Sequence, residues 1–234
     1  MIRTNRRIPA ERLKLLIFDL DGTLVDSRID LANSINAMLA HFVRPTLPCD
    51  VIASYIGDGA PMLVRRSLGD PDDEPFIKDA LSFFMAYYRE HKLDNTHLYE
   101  GVTEMLDAVR TPRNGTSSSS PLLAVLSNKP VVPSRQIVDA LGVGQHFVQV
   151  YGGNSFDTKK PDPAGVKALL HETGVAAGEA LLVGDSDIDV LTARSAGIYS
   201  VGVMYGFAPH TLEAAPPDVL VDTPQELAQV LLAG

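Results

Sequence analysis

Two aspartates, Asp19 and Asp21, follow an apolar run at 15–18 and precede Gly22 and Thr23. Such a run is typical of a buried parallel strand, and ligands of open α/β sheets bind beyond the carboxyl ends of the strands. Two carboxylates this close repel each other unless a cation or a proton lies between them. Glycine lets the backbone turn, and threonine adds a hydroxyl. The stretch therefore predicts half of a Mg²⁺ site with a carboxylate nucleophile.

Two later stretches carry polar residues that can bind an anion. Ser127 and Asn128 follow the apolar run 122–126, where the serine hydroxyl and nearby N–H groups could hold a phosphoryl oxygen or, equally, cap a helix. Lys160 stands before Pro161, a residue type that can open a helix. Taken alone, a lysine in that position ordinarily faces solvent.

A second acidic cluster follows a third apolar run, at 180–183. Here Gly184 leads into Asp185 and Asp189. Clustered carboxylates suit Mg²⁺ better than Zn²⁺, although acidic loops are often only solvated.

The order of the elements predicts an α/β fold with a doubly wound parallel sheet. Residues 26–98 show helical patterns and no strand, so we expect an inserted α-helical cap there. Residues 1–25 and 99–234 are expected to form the catalytic core. Six parallel strands are predicted, at 15–18, 122–126, 147–151, 180–183, 199–204 and 219–221.

Composition excludes several kinds of partner. The formal net charge of −9 argues against nucleic acid, because phosphate backbones require a basic face. No apolar run reaches the roughly 18 residues of a membrane span. A single cysteine, Cys49, forbids an internal disulfide and fits a reducing cytoplasm.

Two segments are expected to lack chemistry. The basic residues of segment 1–14 predict a frayed N-terminal tail. The Ser-rich segment 114–120 predicts a flexible loop.

Taken together, Asp-x-Asp-Gly-Thr, Ser after a strand, Lys-Pro and Gly-Asp-Ser-x-x-Asp resemble the four motifs of the haloacid dehalogenase superfamily of phosphohydrolases. The resemblance covers almost the whole chain, and the helical insert is similar to that superfamily's small α-helical cap. It implies that Asp19 is the nucleophile and a Mg²⁺ ligand, and that Asp185 is a further metal ligand. Asp21 would be the general acid/base and would touch the metal through its backbone carbonyl.

The same resemblance implies how the phosphoryl group is held. Ser127 would bind it, with Gly22, Thr23 and Asn128 as further substrate-binding residues. Lys160 would neutralise its charge and orient the nucleophile. Asp189 would support that lysine or a metal-bound water.

A stretch of the expected cap, 55–64, resembles the Gly-x-Gly-Ala loop of bacterial phosphoglycolate phosphatases. Glycine loops at a helix start can lay N–H groups on a small anion, although a plain interhelical turn has the same composition. The resemblance implies substrate binding by Gly57, Asp58 and Gly59. Arg65, with its neighbour Arg66, would neutralise a substrate carboxylate.

The implied activity is hydrolysis of a small phosphorylated metabolite, 2-phosphoglycolate, through an aspartyl phosphate. A β-phosphoglucomutase-like phosphotransferase or a sugar-phosphate phosphatase would share all four motifs. Asp21 argues against a true haloacid dehalogenase, which lacks this second acid. Outside the enzymes, a receiver-type signalling module also uses acidic residues and Mg²⁺ on a parallel sheet, but it is about half as long. The sequence predicts no oligomeric state.

Overall fold

The computed structural model describes residues 1–111 and 120–233. The loop predicted at 114–120 lies outside the described residues, except for Ser120. Strands in the described part are β1 (Arg3–Thr4), β2 (Leu15–Phe18), β3 (Val25–Asp26), β4 (His97–Leu98), β5 (Leu122–Leu126), β6 (Gln149–Tyr151), β7 (Ala180–Gly184), β8 (Tyr199–Val203) and β9 (Val219–Val221). Helices there are α1 (Arg28–His41), α2 (Cys49–Ala53), α3 (Ala60–Ser67), α4 (Glu74–His91), α5 (Val102–Arg110), α6 (Val131–Ala140), α7 (Ala164–Thr173), α8 (Asp187–Ala196) and α9 (Pro224–Leu232).

The described residues form a seven-stranded sheet in the order β1-β9-β8-β7-β2-β5-β6. All strands except β1 run parallel, so the predicted doubly wound α/β fold is confirmed. Leu16 and Phe18 of the central strand β2 pack in the core cluster that includes α5, α6 and α9. Leu15 and Ile17 pack on the opposite face, in the cluster with α7 and α8. Alternate residues of β2 thus face the two helical layers.

The N-terminal residues are not frayed, so that prediction was wrong. β1 extends the sheet by pairing antiparallel with β9, with Arg3 opposite Leu220. The Arg3 guanidinium lies 2.8 Å from Asp222 Oδ1, and the Arg6 guanidinium lies over the Tyr199 ring. The basic tail is ordered because the sheet edge beside it offers unpaired backbone groups and carboxylates.

Helices α1–α4 enclose a separate apolar cluster whose buried members include Ile35, Met38, Ile52, Val64 and Phe84. The short helix α2 was not predicted. No helix in the described part of the chain is long and apolar enough to cross a membrane.

The expectation of no strand between residues 24 and 98 was also wrong. β3 and β4 pair antiparallel, with Val25 opposite Leu98, at the points where the chain enters and leaves the helical segment. Strands of two residues have no detectable periodicity, which is why the sequence did not predict them. We propose the domain boundaries of the core (1–25 and 99–234) and the cap (26–98) at this two-stranded ribbon.

A buried carboxylate stabilises this ribbon. Asp30, in the first turn of α1, accepts hydrogen bonds from the backbone N–H groups and side chains of Asn95 and Thr96, at 2.7–3.0 Å. Burial opposes its charge, but these bonds lower the pKa of Asp30.

We expect Asp30→Ala to lower the free energy of unfolding by about 2–4 kcal/mol, because four donors lose a charged acceptor. Urea denaturation measures this loss. Asp79→Ala, at an exposed position of α4, is the matched control and should change stability by less than about 0.5 kcal/mol. Equal stability of the two variants would contradict the role given to Asp30.

Candidate active site

Three adjacent strands end at the same edge of the sheet and place three polar side chains there. Phe18, the last residue of β2, is in register with Val125 of β5 and Val183 of β7. Asp19 follows β2 directly, Ser127 follows β5, and Asp185 follows β7. All three line one cavity, which lies between the sheet and helices α1–α4.

The centre of the site is a cluster of buried carboxylates. Asp19, Asp185 and Asp189 offer oxygen atoms that all lie within 4.8 Å of one another. Lys160, from the loop between β6 and α7, places its Nζ 2.9 Å from Asp19 Oδ1 and 2.6 Å from Asp189 Oδ1. The lysine is 4% exposed, so it is not the solvent-facing residue that its local sequence also allowed.

These groups perturb one another strongly. Burial raises the pKa of Asp19 to about 6, although the positive charge of Lys160 acts to lower it. Burial, followed by the charges of Asp189 and Asp19, raises the pKa of Asp185 to about 8. Burial also disfavours the charge on Lys160, but the carboxylates of Asp189 and Asp19 outweigh it and raise the lysine pKa. Clustered shifts of this kind are typical of functional sites.

The cluster fits a divalent cation. Three carboxylates face one ammonium group, so the fully ionised cluster has two more negative charges than positive ones. Asp189 is already engaged through both oxygens, since Oδ1 binds Lys160 and Oδ2 accepts from the Ser186 hydroxyl at 2.8 Å. Asp19 and Asp185 are therefore the carboxylates available as ligands, and an all-oxygen set suits Mg²⁺.

Gly22 is needed for the close packing around Asp185. It has φ +84°, and a Cβ at this position would lie 2.3 Å from Asp185 Oδ2. The same oxygen accepts hydrogen bonds from the N–H groups of Phe207 (2.6 Å) and Ala208 (3.2 Å). Gly22 and Thr23, predicted to bind substrate, do not line the cavity in the described structure; the role of Gly22 here is steric.

Asp21 lies in the same cavity, but its carboxylate has other partners. It accepts a hydrogen bond from the Ser27 hydroxyl at 2.6 Å and two from Lys129 Nζ, at 2.9 and 3.0 Å. Ser27 is the N-cap residue of α1, yet its side chain makes no capping bond. No role in the site was predicted for Ser27 or Lys129, although the Lys-Pro pair at Lys129 repeats the one at Lys160.

The side of the cavity formed by α1–α4 is almost entirely apolar. It consists of Leu31, Ile56, Gly57, Gly59, Ala60, Leu63, Phe84, Met85 and Tyr88. Asn128 joins this side to the core, because its Nδ2 donates to the Gly57 carbonyl and to the Lys160 carbonyl, both at 3.0 Å. The side-chain amide of Asn128, which was predicted to bind substrate, therefore already donates hydrogen bonds to two loops.

Arg65, predicted to meet the substrate, does not line the cavity in the described structure. Arg65 forms ion pairs with Asp70 and Glu74. Its neighbour Arg66 pairs with the Asp58 carboxylate at 2.5 Å. Both arginines belong to the last turn of α3, whereas the first turn faces the cavity, and the sequence alone did not reveal this orientation.

A parallel sheet with a carboxylate cluster, a buried lysine and a serine at its strand ends, covered by helices, is the arrangement expected of a phosphohydrolase with an α/β fold. Residues 16–203 match the family model for haloacid dehalogenase-like hydrolases. The chain belongs to this family, as its motifs predicted, and family membership argues against the receiver-type alternative.

Several known proteins similar to the chain are named phosphoglycolate phosphatase. The chain is 38% identical over 200 residues to a phosphoglycolate phosphatase of Pseudomonas syringae pv. tomato, covering 83% of this chain and 70% of that protein. It is 34% identical over 228 residues to one of Photobacterium profundum, covering 94% and 96%. A solved structure from Haemophilus somnus, described as a predicted phosphoglycolate phosphatase, matches with a TM-score of 0.85 at 32% identity, covering 94% and 98%. The expected resemblance to phosphoric monoester hydrolases of this kind is confirmed.

Proposed function

We propose that the chain is a Mg²⁺-dependent phosphatase that hydrolyses 2-phosphoglycolate through an aspartyl-phosphate intermediate. The observation that carries the proposal is the buried Asp19–Lys160–Asp189–Asp185 cluster at the strand ends. The names of the relatives support the substrate. The cytoplasm is the proposed location, since the exposed Cys49 is the chain's single cysteine.

In the first half of the proposed reaction, a carboxylate oxygen of Asp19 attacks phosphorus while the bond to the leaving oxygen breaks. Asp21 donates a proton to that oxygen, and glycolate departs. Ser127 and Lys160 hold the phosphoryl oxygens. Asp19, Asp185 and the Asp21 backbone carbonyl would hold Mg²⁺, and the charge of the bound ion would screen the repulsion between the nucleophile and the phosphate.

In the second half, water attacks the phosphorus of the aspartyl phosphate and gives its proton to Asp21. The Asp19–phosphorus bond breaks, inorganic phosphate leaves, and both aspartates return to their starting states. Asp189 keeps Lys160 oriented throughout, since it accepts a bond from the lysine at 2.6 Å. Asn128 and the loop with Gly57, Asp58 and Gly59 would enclose the substrate.

A phosphate-release screen with and without Mg²⁺ tests the proposal. We expect turnover of 2-phosphoglycolate well above that of hexose phosphates, and loss of turnover with EDTA. A clear preference for hexose phosphates, or dependence on a sugar bisphosphate, would contradict the proposed substrate and favour the sugar-phosphate or mutase alternative.

A further inference from the structure

A second buried lysine lies beside the proposed general acid. Among the described residues that line the cavity, Lys129 and Lys160 are the only cations. Lys160 is bound to two carboxylates of the cluster. Lys129 is 7% exposed and donates to both oxygens of Asp21. Because an ammonium group has three N–H donors, Lys129 can bind one further anionic oxygen.

A tyrosine of α4 lies next to this lysine. Lys129 Nζ is 4.7 Å from the centroid of the Tyr88 ring. The Tyr88 hydroxyl is buried beside the Lys129 ammonium group, which can donate to it but cannot accept its O–H, and Tyr88 lines the cavity. Burial raises the pKa of Tyr88 to about 12, so the hydroxyl remains a neutral donor. A buried O–H without an acceptor is costly unless a ligand supplies one.

The chemistry of the substrate places its second charge in this region. The leaving oxygen must lie within hydrogen-bond distance of Asp21 to take its proton. In 2-phosphoglycolate the carboxylate carbon is two bonds from that oxygen. The carboxylate therefore lies near Asp21, where Lys129 of the core is the neighbouring cation and the facing side of the cavity, formed by α1–α4, is almost entirely apolar.

We propose that Lys129, together with the Tyr88 hydroxyl, binds the substrate carboxylate and is the specificity-determining residue of this enzyme. This inference rests on the proposed function. Arg65 and Arg66 do not compete for the role, since both are paired with acidic side chains of the cap.

The test compares two substrates in four proteins, the wild type and three variants. The substrates are 2-phosphoglycolate and 2-hydroxyethyl phosphate, in which a neutral CH₂OH group replaces the carboxylate. We expect the wild-type kcat/KM ratio to favour 2-phosphoglycolate by about 100-fold or more, and Lys129→Met to reduce that ratio to below about 10-fold. Lys129→Arg keeps the charge and should retain most of the ratio. Tyr88→Phe, which removes the hydroxyl alone, should lower the ratio by about 10-fold.

The outcomes separate the inference from the function on which it rests. If wild type favours 2-phosphoglycolate but Lys129→Met lowers kcat/KM equally for both substrates, Lys129 only orients Asp21 and the inference is overturned. If wild type does not favour 2-phosphoglycolate, the proposed function and the inference both fail. Circular dichroism of each variant shows whether it is folded, and Tyr88→Phe gives an independent reading if Lys129→Met is not.

Discussion

We expect Asp19→Asn to lower the turnover of 2-phosphoglycolate by at least about 10⁴-fold, because an amide cannot form the acyl phosphate. The change removes one oxygen and one charge but keeps the shape of the side chain. The fold should persist, since the replaced carboxylate is buried and its pKa is raised to about 6, mainly by burial. Because burial of this charge opposes folding, its removal should not lower the stability of the folded state.

Phosphate release under saturating Mg²⁺ measures this loss, and thermal unfolding shows that the variant is folded. Asp139→Asn, an exposed residue in α6, makes the same chemical change outside the cavity and should leave turnover near wild type. Turnover of Asp19→Asn within about 10-fold of wild type would remove Asp19 as the nucleophile.

Asp185→Asn should affect activity and stability in opposite directions. Activity should fall by about 10³-fold or more, because one of two available carboxylate ligands is lost. The metal-free protein should become more stable, by on the order of 2–4 kcal/mol near pH 8, because a buried charge repelled by Asp189 and Asp19 disappears.

The pH dependence follows from the sign of the shift. Burial and the neighbouring carboxylates raise the pKa of Asp185 to about 8 in the folded protein, against about 4 in an unfolded chain. The contribution of this side chain to folding stability is therefore complete below about pH 4, where it is protonated in both the folded and the unfolded state. This contribution is lost as the pH rises through about 8. Metal-free wild type should lose stability across this interval, and Asp185→Asn should lose less.

Thermal unfolding of EDTA-treated protein between pH 5 and 8.5 tests this expectation. Mg²⁺ should raise the melting temperature of wild type, and much less that of Asp185→Asn, since binding to the folded state stabilises it. If metal-free Asp185→Asn is less stable than wild type at pH 8, the carboxylate of Asp185 stabilises the metal-free protein and this prediction is wrong.

The core of the site was predictable because it depends on strand order and local pattern. Apolar runs followed by acidic or hydroxyl side chains predicted Asp19, Ser127 and Asp185 near one sheet edge, and the register of β2 with β5 and β7 places them there. The pairing of Lys160 with Asp189 depends on a loop whose path the local pattern does not specify. It was available only from the resemblance to a known family.

Predictions failed where tertiary contacts decide the outcome. The spacing of Arg65 does not show which turn of α3 faces the cavity, and Asp70 and Glu74 take up its charge. No role was predicted for Lys129, because nothing in its local sequence pattern indicates that it is buried. Its burial depends on Asp21 and Tyr88, which are far away in the sequence.

The side-chain amide of Asn128 has a consequence for how the enzyme would open. One of its N–H groups holds a carbonyl of the helical segment, at Gly57, and the other holds the carbonyl of Lys160 in the core. Rotation of the helices away from the sheet would break the first bond and spare the second. The hydrogen bond from Asn128 to the backbone carbonyl of Lys160 would then persist between turnovers. Each new substrate would therefore meet a lysine that is already in position.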